Sequence, residues 1–145
     1  MPSGAPLPAQ AREALARWQH KRDCAAHYVA QGRVVSDGLL AFGILDGEID
    51  GICFPPLLPD AVLILLAVPK PNEPGRWVMK LRLGARAAEG FTIHDLHMTE
   101  FDRAYGGRWN AGSNARAGGT TIPPAVYAEE VRRRLARAIG VAGTH

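Results

Sequence analysis

Three groups of side chains in this sequence have types and spacings that could do chemistry. The first is His94, Asp95 and His97. Alternate side chains of a strand point the same way, so Asp95 and His97 would form a carboxylate–imidazole pair, with His94 turned to the opposite face. Imidazole exchanges protons near neutral pH, which suits a small hydrolase or transferase using His97 oriented by Asp95. No Ser or Cys nucleophile stands beside the pair in a recognisable motif. Two histidines splayed onto opposite faces also argue against one metal binding both.

The second group, Glu13, His20, Cys24 and His27, falls on one stripe of an expected helix. The i, i+4, i+7 spacing of His20, Cys24 and His27 makes their side chains neighbours. Zinc accepts such N and S ligands, but a structural site wants four. A solvated helix face accounts for the stripe, so neither a metal nor a cofactor is expected.

The third is the stretch 106–119, with five glycines, Arg108, Trp109, Asn110 and Arg116. Glycine backbone N–H groups can cradle an anion, the guanidinium groups can grip phosphate, and Trp109 can stack on a base. The spacing matches neither a P-loop nor a dinucleotide fingerprint. Residues Gly106-Gly107-Arg108-Trp109-Asn110 resemble the Gly-Arg-Trp-Asn signature of RES-domain toxins, which act on NAD. That family carries the motif near the start of its domain, whereas this chain has little sequence after Asn110. No catalytic assignment is carried over.

Hydrophobic periodicity predicts the elements that must position these residues. A helix over 8–31 would bury Ala11, Ala14, Leu15, Trp18, Ala25, Ala26 and Val29. A hairpin at Asp46-Gly47 would pair strand 38–45 with strand 48–54, setting Ile44 opposite Ile49 and Phe42 opposite Gly51. The apolar run Ala61–Val68 predicts a central strand covered on both faces. Residues 76–83 alternate, placing Trp77, Met79, Leu81 and Leu83 inward and Arg76, Lys80 and Arg82 outward. A fifth strand is expected over 91–98, and 106–119 reads as a loop without regular structure. A last helix over 124–139 would bury Tyr127, Val131, Leu135 and Ala138. Of its arginines 132, 133, 134 and 137, Arg133 and Arg134 are preceded at i−4 by Glu129 and Glu130, which suggests a paired, solvated face.

The predicted fold is therefore α+β: an N-terminal helix, a five-stranded antiparallel β-meander and a C-terminal helix in two layers. Residues 8–140 would form a single domain between short tails, 1–7 and 141–145. Cystatin-like, ubiquitin-conjugating-like and secretion-chaperone-like domains share that order of elements. The catalytic cysteine of the ubiquitin-conjugating type has no counterpart, since no cysteine follows Cys53.

Composition is ordinary for a globular protein, at 47% hydrophobic and 21% charged residues. The longest apolar run is too short to span a bilayer, and the N-terminus lacks the form of a secretory signal. These features predict a soluble, cytoplasmic protein with reduced cysteines. The net charge of +3 is uneven, with residues 61–145 carrying most of the positive charge, so an anionic ligand is plausible chemistry. In the absence of a nucleophile-plus-base constellation, the sequence favours a non-enzymatic binding module for a protein partner or homodimer, presenting Ile52 and Phe54. Its alternatives are a binder of phosphate-bearing ligands or nucleic acid through 106–119, and a hydrolase or transferase using Asp95 and His97. Whether the chain is an enzyme stays open at this level.

Overall fold

A computed structural model describes residues 8–47 and 49–140. Its helices are α1 (Ala9–Ala30) and α2 (Pro124–Ala138), and its strands are β1 (Val34–Ser36), β2 (Leu40–Ile44), β3 (Leu63–Pro69), β4 (Trp77–Leu83), β5 (Gly106–Gly107) and β6 (Ala111–Ser113). The strands form one sheet in the order β1-β2-β3-β4-β6-β5. Every pairing is antiparallel except β2 with β3. The class is α+β, as the periodicity predicts, but the sheet is six-stranded and mixed rather than a five-stranded meander.

The parallel pair arises because the expected Asp46-Gly47 hairpin does not form. Asp46 is held back toward α1: both its carboxylate oxygens accept from Arg33 at 2.7 Å, and its N–H donates to the Tyr28 hydroxyl. Residues 51–53 are a 3-10 turn rather than a strand, with the Asp50 carboxylate accepting from Ile52 N–H. A second turn at Pro55–Leu57 follows, and the chain re-enters the sheet at β3 beside β2. Of the expected second strand, Glu48 lies outside the described residues. The partner that β2 gains instead is β1, joined to it by a turn in which Asp37 accepts from the N–H groups of Leu39 and Leu40.

β3 is the central strand that its apolar run predicts. Leu63, Leu65 and Ala67 face one side, where they pack with Met79, Leu81 and the α2 residues Tyr127, Val131 and Leu135. Ile64, Leu66 and Val68 face the other, beneath Ala25 and, at the margin, Cys24, Tyr28 and Val29 of α1. The helices thus cover opposite faces of the sheet instead of sharing one side. Full burial of each such Leu, Val or Ile stabilises the fold by about 1.5–3 kcal/mol relative to exposure.

Two other expectations need correction. On α1 only Ala25 is fully buried, while Leu15 and Trp18 are 55% and 41% exposed. The first half of the helix extends past the sheet, so its apolar stripe has nothing of the described chain to cover it. The arginines of α2 also differ from a purely solvated face. Arg134 donates to Glu130, to Glu100 and to the carbonyls of Leu96 and His97, fastening the 93–100 segment to the helix. No helix among the described residues is long and apolar enough to cross a membrane.

Candidate functional site

Because α1 lies over the β1–β3 half of its face, the β4–β6–β5 half is left open, and a groove of about 1290 Å³ runs between them. Its α1 wall presents His20, Lys21, Cys24 and Tyr28, and its end is closed by Gly47, Ile49, Asp50 and Gly51. Lys80 and Arg82 supply the cations of the floor, on the side of β4 that alternation predicts to be polar. Gly51 lies against this floor: a Cβ there would stand 3.5 Å from the Arg82 Nε, at ordinary contact distance.

The far wall comes from the stretch expected to be structureless. Residues 106–113 fold into the β5–β6 hairpin, which adds to the edge of β4 with Lys80 opposite Ser113 and Arg82 opposite Ala111. The tip is fixed by backbone bonds from Ile93 N–H to Trp109 O (2.8 Å) and from Leu83 N–H to Asn110 O (3.0 Å). Glycine is required here by close approach: a Cβ at Gly107 would meet Gly112, and one at Gly112 would meet the Tyr105 hydroxyl.

A buried polar network anchors the hairpin's far end. Asn114 is fully buried, its side-chain oxygen accepting from Met79 N–H at 2.8 Å and its amide donating to Asp102 at 3.0 Å. Asp102 also accepts from the Tyr127 hydroxyl at 2.8 Å and from Ala104 N–H. Burial, and then the Asp102 carboxylate, push the Tyr127 hydroxyl far above the usual range, so it stays a donor. The nearby Tyr105 hydroxyl is buried and finds no partner among the described residues.

Burial raises the Tyr105 hydroxyl to about 12. An unfolded chain releases such a proton near pH 10, so the folded state loses stability as pH rises between the two values. Tyr105→Phe removes the unpaired group and should stabilise the protein by about 1 kcal/mol at neutral pH. It should also flatten the alkaline decline between pH 10 and 12. Urea denaturation of both proteins across that range checks this.

Of the residues singled out in sequence, Arg108, Asn110 and Arg116 line the groove, as do His20 and Cys24. The His20 Nε2 lies 3.5 Å from the Cys24 Sγ. His27 faces elsewhere, and no group of three His, Cys, Asp or Glu among the described residues could hold a metal ion. Trp109 stands 53% exposed at the hairpin tip. Among the described lining residues five are Lys or Arg, namely Lys21, Lys80, Arg82, Arg108 and Arg116, against one carboxylate, Asp50. Lys80 and Arg82 carried no functional weight in sequence, where they read only as a wet strand face. Their meaning depends on the hairpin that walls them in.

Asp95 and His97 are not brought to this groove. The expected strand is two 3-10 turns, Ile93–Leu96 and Met98–Glu100, because Thr92 and Asp95 form a reciprocal capping box. The Asp95 carboxylate is thereby committed to Thr92 N–H, and His97 takes a left-handed conformation between the turns (φ 50°). Both side chains are exposed, and the segment packs against α2.

No known family profile matches the chain, and no curated protein matches it in sequence. The resemblance to RES-domain toxins is therefore confined to the residues that carry it. Among solved structures the chain is similar to a pGpG-specific phosphodiesterase, PggH, from Vibrio cholerae, with a TM-score of 0.63 and 14% identity. The match covers 89% of this chain and 44% of that one, so this chain spans less than half of the enzyme's length. The likeness is one of fold. It corrects the expectation of a non-enzymatic interaction module, since the fold is one that an enzyme uses. The exposed apolar pair behind that expectation also fails, because Phe54 is fully buried and only Ile52 remains exposed.

Proposed function

We propose that the groove binds a short phosphate-bearing nucleotide chain and that the protein is a hydrolase of its phosphodiester. The observation that carries this reading is the convergence of Lys21, Lys80, Arg82, Arg108 and Arg116 on one groove with a single carboxylate. Cations gathered against a partly apolar wall attract phosphate and strengthen each contact by limiting its hydration. A groove of about 1290 Å³ is roomy for one mononucleotide and suits a dinucleotide. Arg108, Asn110 and Arg116 would grip phosphate and sugar, and Trp109 at the rim would stack on a protruding base. The fold shared with a pGpG-specific phosphodiesterase adds support.

The test is incubation with linear pGpG and with other 5′-phosphorylated dinucleotides, with chromatography to detect mononucleotide release. The expected result is hydrolysis that Arg108→Ala weakens through binding, by about tenfold to a hundredfold for one charge-assisted contact. A protein that neither binds nor cleaves any of these would end the proposal.

A further inference from the structure

The groove's cations can hold a phosphodiester, but hydrolysis also needs a group that moves a proton. Among the described lining residues, beside the lysines that serve as phosphate cations, the side chains able to do so are His20, Cys24, Tyr28, Asp50 and Ser113. Three of them already have structural work. The Tyr28 hydroxyl accepts from Asp46 N–H, the Asp50 carboxylate accepts from Ile52 N–H and faces Lys21 at 3.8 Å, and the Ser113 hydroxyl accepts from Ala115 N–H. That leaves the imidazole of His20 and the thiol of Cys24, one helical turn apart on the wall facing the cationic floor.

We propose that His20 is the proton-transferring residue of this site and that Cys24, bonded to its Nε2, is a positioning residue for the ring. The inference rests on the hydrolase reading above. Cys24 is suited to the supporting role because it sits lower on α1 than His20, half-buried beside the fully buried Ala25, while His20 is exposed to the groove. A thiol fixed by the core can hold an imidazole that must stay open to substrate.

In the step that follows, the oxygen of water forms a bond to phosphorus as the bridging P–O ester bond breaks. The imidazole takes the proton that water loses, and that proton passes to the departing ester oxygen. The products are a phosphomonoester and a free hydroxyl, and the imidazole returns to its starting state. The cations of the floor neutralise charge on the phosphate oxygens throughout. The charged groups that share the groove or the adjacent helical turns with the ring are Arg17, Lys21 and Asp23 on α1, Asp50 at the closed end, Lys80 and Arg82 on β4, and Arg108 and Arg116 beyond.

The experiment compares hydrolysis and binding of pGpG by the full chain and its His20→Asn, Cys24→Ser and His27→Asn variants. His20→Asn should lower kcat by about 10²–10⁴-fold with little change in affinity, and should abolish the limb of the pH–rate profile that imidazole produces. Cys24→Ser, which keeps a hydrogen-bonding group, should retain most activity with a displaced limb. His27→Asn, on the same helix but outside the groove, should match the wild type in both. If the wild type cleaves pGpG and His20→Asn does so equally well, this inference fails while the hydrolase reading stands. If Cys24→Ser is dead and His20→Asn active, the thiol is the reacting group and the assignment is overturned. If the wild type cleaves nothing, the reading and the inference fall together.

Discussion

Asp102→Ala lowers the free energy of unfolding by about 3 kcal/mol or more, because it strips an acceptor from three buried or half-buried donors at once. The Tyr127 hydroxyl, the Asn114 amide and Ala104 N–H all bond to this carboxylate, which is 6% exposed. Each is left without a partner in a place water reaches poorly, and a buried polar group without a partner costs more than its bond contributed. The loss should not stay local. Asn114 is what ties the chain after β6 to Met79 on β4, so the β5–β6 hairpin loosens and the groove loses its far wall. Urea denaturation measures the first effect, and faster amide exchange at Met79 and Gly112 the second. A variant within about 0.5 kcal/mol of the wild type would deny that the network holds the hairpin.

Arg82→Glu lowers affinity for a phosphorylated dinucleotide at least about a hundredfold, the equivalent of about 2.8 kcal/mol. The substitution removes an attractive charge from the floor and sets a repulsive one in its place, on the same strand face as Lys80 and in the same groove as Arg108. Arg82 is only half-buried and projects from the polar side of β4, so folding should be little affected. Isothermal titration, with thermal denaturation as the control for folding, separates the two. Wild-type affinity in this variant would place the ligand elsewhere.

Much of the scaffold is legible in the sequence, because it depends on local periodicity. The period-2 alternation of 77–83 places Met79 and Leu81 in the core and Lys80 and Arg82 on the open face, as found. The unbroken run at 61–68 marks the central strand, and Tyr127, Val131 and Leu135 mark the buried stripe of α2. What fails is whatever depends on distant partners. Asp46-Gly47 has the composition of a hairpin turn, but Arg33 and Tyr28 hold Asp46 in place. Nothing in local sequence says that a guanidinium 13 residues away will do so.

The site follows the same rule. Arg108, Asn110 and Arg116 stand out by composition, but 106–113 pairs as strands only because β4 offers it an edge. His20 and Cys24 are visible as neighbours on a helix, yet only the fold brings them to the same groove as Arg82. The Thr92–Asp95 capping box was readable as a turn signal. It sets 3-10 turns where a strand is expected, so the same-face relation that a strand would give Asp95 and His97 does not arise.

The central claim, that phosphate is held by the cations of this groove, is tested most directly by the salt dependence of pGpG binding. For a single-stranded ligand the logarithm of affinity falls with the logarithm of salt by about 0.7 for each phosphate neutralised. The wild type should show that decline, and Arg82→Ala and Arg108→Ala should each weaken binding and make the slope shallower. Binding that ignores salt, or slopes identical in all three proteins, would contradict it.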